Sequence, residues 1–286
     1  MNVLVTGGSG RVGRYVVRDL VAAGHTVTNA DLAPLVGLPG GFLRVDLTDP
    51  GDVYQMLAYT KAEAVVHLGA WANAGVVPDT RTYGDNVRGA YNVFQACADL
   101  KITRIVYASS AQVYGFADAA PLVAPVDEDH PLRPCNSYAL AKVAAEDAAA
   151  YFIKHFGLNI LFFRFMGVRM PSEIAGEIDE MTADPASGKW LLWTRTDACD
   201  AAQACRLALE APEVPSGAYN ITGPRVVLEQ SAAELVTTHF GNQTEMRALT
   251  GHASPLSIDR ARNAFGYQPR YFWSQQQHHP DPEIAV

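Results

Sequence analysis

The sequence lacks the marks of several protein classes. No apolar run approaches the roughly 18 residues that a membrane-spanning helix needs. The opening MNVLVTGGSG has neither a basic start nor a cleavage site, so a cytoplasmic location is expected. Cysteine is scarce. The four at 97, 135, 199 and 205 have no Cys-x-x-Cys spacing, which makes free thiols the expectation and argues against disulfides or a zinc site. The eight histidines form no His-x-x-x-His pair. His278 and His279 are adjacent, but they fall in a polar SQQQHHPDPE tail read as loose rather than metal-binding. Positive charge is also short: the net charge of −8 argues against a nucleic acid or an anionic membrane as partner. One local cationic pocket could still take an anionic small ligand. Internal repeats and low-complexity tracts are absent.

What is present is a chain of 286 residues, 49% hydrophobic and 18% charged, long enough for a large core. Short apolar runs alternate with helical patterns. NVLVT (2–6), HTVTNAD (25–31), FLRVDL (42–47), AVVHLG (64–69), RIVYASS (104–110) and NILFFRF (159–165) read as strands. Helical patterns fall at about 10–23, 49–60, 84–100 and 137–156. This alternation specifies βαβ units, hence an α/β fold with a doubly wound parallel sheet of the Rossmann type. The expected division is a Rossmann domain at 1–170, rejoined by 196–223, and a small substrate-binding lobe from 171–195 and 224–286. Within the latter, 171–190 reads as a loop or short helix, while 197–211 is a helix with Asp197 as its N-cap. GAYNITG (217–223) reads as one more strand.

VLVTGGSGRVG places a glycine-rich turn between a strand and a helix. Gly8, Gly10 and Gly13 satisfy G-x-G-x-x-G, and Gly7, Gly10 and Gly13 satisfy T-G-x-x-G-x-x-G. Such a turn lets a pyrophosphate reach bare backbone N–H groups at a helix N-terminus. Asp31 ends the second strand, 18 residues beyond Gly13, where a carboxylate accepts from ribose hydroxyls and repels a 2′-phosphate. NAD is therefore expected over NADP, although Arg11 in the glycine turn could attract a phosphate. Asp46 ends the third run and either accepts from the adenine amino group or initiates the next helix.

Tyr138 and Lys142 stand one helical turn apart in NSYALAKVAAED. With 12 Tyr and 5 Lys, chance alone supplies roughly 0.2 such pairs, so the surroundings decide their meaning. A phenol with a pKa near 10 needs an adjacent ammonium to act as a base near neutrality, and an i, i+4 pair shares one helix face. Ser110 closes a strand at its carboxyl end, where open parallel sheets place their sites.

Together TGGSGRVG, Asp31, the DL at 46–47, HLGA (67–70), Asn86 in DNVRGAYNVFQA, SSAQVYG (109–115), YALAK (138–142) and RFMGVRMP (164–171) resemble the extended short-chain dehydrogenase/reductases, the NAD-dependent epimerase/dehydratase superfamily. The resemblance covers most of 1–170 and returns at 196–223. It implies Tyr138 as general base, Lys142 as the cation that depresses the phenol and bonds the nicotinamide ribose, and Ser110 as donor to the substrate oxygen. Ser109 competes with Ser110, but the family's S-x-x-V-Y-G spacing favours the latter. Asn86 is either the holder of a relay water to Lys142 or a capping and packing residue. NAD contacts are implied at Gly7, Gly10, Arg11, Val12, Gly13, Asp31, Asp46, Leu47, Leu68, Gly69, Ala70, Asn86, Tyr138, Lys142, Phe165 and Val168. His67 is expected to be a satisfied core histidine, and Tyr114 a packing residue.

The resemblance spans dehydrogenases, 4-epimerases and dehydratases, and three departures bear on the choice. Dehydratases of the family carry Thr-Asp-Glu where this chain has Ser110-Ala111-Gln112, so no acid pair is available for eliminating water. Nucleotide-sugar epimerases have Asn where this chain has Gly167. Their long insertion after that strand is here only about 25 residues, between Pro171 and RTDACDAA. The chain looks like the compact branch that includes uronate dehydrogenases. The expectation is an NAD-dependent oxidoreductase acting on a small hydroxylated substrate, a sugar or sugar acid. A nucleotide-sugar 4-epimerase and a non-catalytic NAD-binding regulator are the alternatives. Trp71, Asn73, Ser110 and Gln112 are the candidate substrate contacts. Arg169 and Arg195, with Lys189, are candidates for a substrate carboxylate or are structural charges. A homodimer through the helices at 84–100 and 137–156 is implied, the second of them rich in alanine. No metal is expected.

Overall fold

The central strand runs are largely hydrophobic because their sheet is covered on both faces. In the computed structural model, which describes residues 1–274 and 276–280, they become β1 (Asn2–Thr6), β2 (Thr26–Asp31), β3 (Gly41–Arg44), β4 (Ala64–His67), β5 (Arg104–Ser110), β6 (Val123–Ala124), β7 (Asn159–Phe165), β8 (Val168–Arg169), β9 (Thr196–Asp197), β10 (Gly217–Ile221) and β11 (Glu245–Met246). The helices are α1 (Gly13–Ala22), α2 (Pro50–Thr60), α3 (Asp79–Asp99), α4 (Ser137–Phe156), α5 (Pro171–Ala183), α6 (Ala198–Glu210), α7 (Ala232–Phe240) and α8 (Asp259–Phe265).

Seven strands form one parallel sheet in the order β10-β7-β5-β4-β1-β2-β3. Chain order reverses between β1 and β4, so the crevice at their carboxyl ends is the topological switch point where α/β sheets bind ligands. Side chains alternate between the faces with period two. Val3, Val5, Val66, Val106, Leu161 and Phe163 face α1, α6 and α8, whereas Leu4, Val65, Ile105, Tyr107, Ile160 and Phe162 face α2, α3 and α4. Helix starts are set locally. The Asp49 carboxylate accepts from Gly51 N and Asp52 N, Asn136 Oδ1 from Ala139 N, and Asp197 Oδ1 from Cys199 N, the last as expected.

Four features differ from the sequence reading. The third strand ends at Arg44, because the chain turns at Asp46, whose Oδ1 accepts from both N and Oγ1 of Thr48. α3 begins at Asp79, directly after Pro78, although its first turns are polar and contain Gly84. The stretch from 171 is a 13-residue helix, α5, whose Ile174, Ile178 and Met181 share one buried stripe. Finally, packing does not follow the expected lobe boundary. Ile258, Ala261, Phe265 and Tyr267 pack with the sheet's first face. Conversely Val113, Tyr114, Phe116 and Val126, from before residue 170, join α5, α7 and Trp193 in a third cluster, and β6 pairs with β11. Of the tail read as loose, residues 275 and 281–283 lie outside the described residues. In the described part, His279 Nε2 lies 3.0 Å from Phe272 O and its ring packs against Trp273. All four cysteines are free thiols.

Candidate active site

A cavity of about 770 Å³ opens at the carboxyl ends of the central strands. Its floor is the glycine turn. Gly7 has φ +68°, and a Cβ there would lie 2.7 Å from the backbone of Gly69. A Cβ on Gly13 would lie 2.1 Å from Gly7 O. Only glycine allows the β1–α1 turn to press against the end of β4 while the start of α1 faces the cavity. Gly7, Gly10, Arg11, Val12 and Gly13 line it, as expected from the sequence. Leu47, Leu68, Gly69 and Ala70 line one side, and Phe165 and Val168 another.

Asp31 closes the far end from β2. Its Oδ2 accepts from Ser9 N at 3.0 Å and its Oδ1 from Leu32 N at 2.7 Å, which hold the carboxylate at the cavity wall. The Arg11 guanidinium is paired with Glu173 of α5 at 3.1 Å, so its charge is already met by a carboxylate. Asp46 lines the cavity and also makes the turn before α2.

The chemistry end is a seam between β5 and α4. Ser110 Oγ accepts from Gln112 N at 3.2 Å, capping the short helical turn at 111–114, and its hydroxyl favours the ionised form of the Tyr138 phenol. Lys142 Nζ donates to Ala108 O at 2.6 Å and stands 5.5 Å from the Tyr138 ring and 4.9 Å from the Tyr107 ring. Ser109, the competing serine, donates to Glu146 Oε1. Ser110, Tyr138 and Lys142 all line the cavity.

The electrostatics of this pair differ from the sequence expectation. Burial pushes the Tyr138 phenol up to about 12, with the Ser110 hydroxyl opposing. The Lys142 ammonium itself is drawn down to about 7 by burial, with Glu146 opposing. The ammonium meets a carbonyl and two ring faces. Beside it, His67 is a buried core residue. Its Nδ1 lies 2.7 Å from Thr6 Oγ1, and burial holds it neutral with a pKa near 3.

The Asn86 Oδ1 accepts from Trp71 N at 2.8 Å and its Nδ2 donates to Trp71 O at 3.0 Å. The amide thus clamps the loop after β4 and also lines the cavity. Trp71 Nε1 donates to Asp85, and Arg81 lies over the indole. Gln112 bridges Asn73 and Asn136: its Nε2 donates to Asn73 Oδ1 at 3.2 Å and its Oε1 accepts from Asn136 Nδ2 at 3.1 Å. Trp71, Asn73 and Gln112 all reach the cavity.

The three cations separate. Arg169 lines the cavity, with Nε on Glu177 Oε1. Arg195 does not line it. It is buried and bound to Glu177 Oε2, so the expectation of a substrate contact there is corrected: it backs the carboxylate that holds Arg169. Lys189 instead lies 4.9 Å over the Phe240 ring. Among the wall residues that escaped the sequence reading are Trp190 and Leu191. A Cβ on Gly167, whose φ is +49°, would fall 2.9 Å from Leu191 Cδ2, so Leu191 fills the space that a side chain at 167 would need. Trp190, an aromatic in a polar stretch, was the legible signal.

A parallel sheet switching at β1 and β4, a glycine turn at the switch, an aspartate at the end of β2 and a Ser-Tyr-Lys set in one cavity define a dinucleotide-dependent enzyme of the short-chain dehydrogenase/reductase type. Residues 3–222 match the NAD dependent epimerase/dehydratase family, and the chain belongs to that family. NAD is the cofactor that membership assigns, and the cradle at Gly7, Gly13 and Asp31 fits it. The chain is 30% identical over 226 residues to an L-arabinose 1-dehydrogenase (NAD(P)(+)) of Haloferax volcanii, covering 74% of this chain and 85% of that protein. It is 32% identical over 178 residues to a UDP-glucose 4-epimerase of Lactobacillus helveticus, covering 59% of this chain. The chain spans 52%, 39% and 55% of the lengths of the first three epimerase relatives. A short-chain dehydrogenase/reductase superfamily protein from Agrobacterium tumefaciens, solved with bound NAD, superposes with a TM-score of 0.74 at 25% identity, over 94% of this chain and 93% of the other.

Proposed function

We propose that this protein is an NAD-dependent oxidoreductase that exchanges hydride with a small hydroxylated substrate, a sugar or sugar acid. The observation that carries the reading is the convergence of Ser110, Tyr138 and Lys142 on the cavity into which the glycine turn opens. NAD, when bound, supplies the hydride acceptor. Tyr138 takes the proton of the substrate hydroxyl as the carbon loses hydride and the carbonyl forms, so one proton and two electrons are accounted for. Ser110 donates to the oxygen on which charge changes, and the charge of Lys142 supports the phenolate.

The small-substrate part rests on Leu191, which closes the space at Gly167, and on the short wall at Trp190. The sugar-acid part rests on Arg169, held at the wall by Glu177. NAD preference over NADP follows from Asp31, with Arg11 occupied by Glu173. A 4-epimerase acting on a nucleotide sugar is the second reading, and the epimerase relatives favour it. A homodimer belongs to the same proposal: α3 and α4 leave Tyr83, Tyr91, Leu140 and Tyr151 exposed on the outer helical layer. So does a cytoplasmic setting; among the described residues no helix is long and apolar enough to cross a membrane.

The test mixes purified protein with NAD and a panel of aldoses, uronates and UDP-sugars, following NADH absorbance and product identity. NADH accumulation on a sugar or uronate supports the proposal. UDP-sugar interconversion without net NADH moves the assignment to epimerase, and tight NAD binding without turnover on the whole panel to a regulator. Tyr138→Phe is expected to lower kcat by at least about a hundredfold while leaving NAD affinity within about twofold. Retained turnover would remove Tyr138 from the chemistry.

A further inference from the structure

Behind the cavity lies a group of buried charges that the proposed chemistry does not use. Glu146 is one helical turn beyond Lys142 on α4, as Lys142 is one turn beyond Tyr138, so the three share one face. Opposite them, consecutive residues of β5 make a matching row. Ser110 favours the ionised form of Tyr138, Ala108 O accepts from Lys142, and Ser109 Oγ donates to Glu146 Oε1. Glu146 is also gripped by Arg164 of β7 through two bonds, Nε to Oε1 at 3.1 Å and Nη2 to Oε2 at 2.7 Å. Arg164 Nη1 donates onward to Tyr114 Oη and Glu128 O. Both members of the ion pair are about 5% exposed.

An acidic side chain at this depth is costly unless it is paired, and pairing alone could be met by an apolar replacement of the whole set. The arrangement also does something that an apolar set would not. Around the buried ammonium, β4 brings His67, which is neutral, and β5 brings Tyr107, an un-ionised phenol. From α4 come Tyr138 and Glu146, from β7 comes Arg164, and α3 brings the uncharged Asn86 to the same cavity. Glu146 is therefore the one anion in that set. Its two oxygens are fixed by Arg164 and Ser109, so it cannot swing out to solvent.

We propose that Glu146, locked by Arg164 and Ser109, is a positioning residue for the Tyr138–Lys142 pair: its carboxylate is the counter-charge that keeps the buried Lys142 amine cationic. The inference deepens the role given above to Lys142. It predicts that the charge state of Lys142 is set by a residue touching neither cofactor nor substrate.

The test needs no substrate. The chain has only 5 lysines, so protein carrying 13C at every lysine Cε gives few resonances, and Lys142→Met assigns the one of interest. The Lys142 resonance is titrated in the intact, unliganded wild type, in E146Q and in E146D. In folded E146Q its midpoint is expected to fall by about one pH unit or more below the wild type, and E146D, which keeps the charge, is expected to restore most of it. A midpoint within about 0.2 unit of wild type in E146Q overturns the proposal, as does an equal fall in both variants, which would mark a role in packing alone. If E146Q does not fold, E146Q/R164M is read against R164M, so that only the carboxylate differs; a midpoint as high in the double variant as in R164M overturns the proposal. Because turnover is not measured, an inactive Tyr138→Phe with an unmoved Lys142 midpoint sinks only this inference. A shifted midpoint with an active Tyr138→Phe sinks only the catalytic reading.

Discussion

At the scale of single residues, the site combines groups whose needs conflict. Lys142 must carry charge to support a phenolate, yet it is about 3% exposed. Its folded-state pKa, lowered from 10.5 to about 7, is below its unfolded value. Between those values the unfolded chain binds more protons at this position, so stability rises with pH across the window. The penalty is fully present below about pH 7 and relieved above about 10.5. Lys142→Met is therefore expected to raise the melting temperature of the unliganded protein at pH 6–7 by a few degrees and to change it little at pH 10. Thermal unfolding at the two pH values checks this; equal shifts at both would mean that the gain is packing alone. Trp71 and Asn86 show another residue-scale economy: one amide makes two bonds to one backbone unit and so fixes the loop that carries the indole.

At the scale of elements, α5 and the short helical turn at 185–191 decide what the cavity admits. α5 is anchored by Ile174, Ile178 and Met181, and its Glu173 and Glu177 hold Arg11, Arg169 and Arg195. The following turn ends in Leu192 and Trp193, two fully buried residues with φ near +50°, a conformation that costs energy for a side chain larger than glycine. The Trp193 ring offsets this by burial and by donating from Nε1 to Pro185 O at 2.6 Å. The outcome is that Leu191 is set against Gly167. Leu191→Ala is expected to open that corner. The ratio of kcat/KM for a small sugar acid over a UDP-sugar should then fall by about tenfold or more, the scale of discrimination a few methylenes provide. Steady-state kinetics with both substrates checks it, and an unchanged ratio would place the size limit elsewhere.

At the scale of the whole molecule, the C-terminal segment returns to the sheet through α6. Buried Asp200 accepts from Arg270 N at 2.8 Å and Tyr271 N at 3.1 Å, and Asp197 Oδ2 accepts from Trp273 Nε1. Burial raises the Asp200 carboxyl to about 7, so these bonds cost desolvation that only folding of the strap repays. Asp200→Ala leaves two part-buried backbone donors, Arg270 N and Tyr271 N, without their acceptor and is expected to lower stability by about 1–3 kcal/mol, measured by urea unfolding. A change below about 0.5 kcal/mol would show that solvent or a neighbouring group takes over.

The same three scales separate what could be read in advance. The parallel sheet was legible because its strands are continuous apolar runs between helical patterns, and the glycine turn because backbone contact at 2.7 Å leaves no room for another residue type at Gly7. Gly10, Asp31, Ser110, Tyr138 and Lys142 were legible because each stands at a strand end or on a helix face that local spacing defines. α5 was only half legible, as a loop or short helix, because prolines and glycines around it masked the stripe at 174, 178 and 181. Arg195 was misplaced because spacing says nothing about which guanidinium faces a cavity and which lies behind a shared glutamate. The sequence by itself determined the parallel sheet and the glycine turn of the cofactor cradle, since those follow from period, turn chemistry and backbone sterics, whereas the strand order that sets the switch point came from the fold. Only the tertiary structure decided the ionisation of Tyr138 and Lys142, the pairing of Glu146 with Arg164 and Ser109, and the filling of the Gly167 corner by Leu191. Burial and charge at those positions come from residues far apart in the chain, which meet only when the sheet and its helices pack.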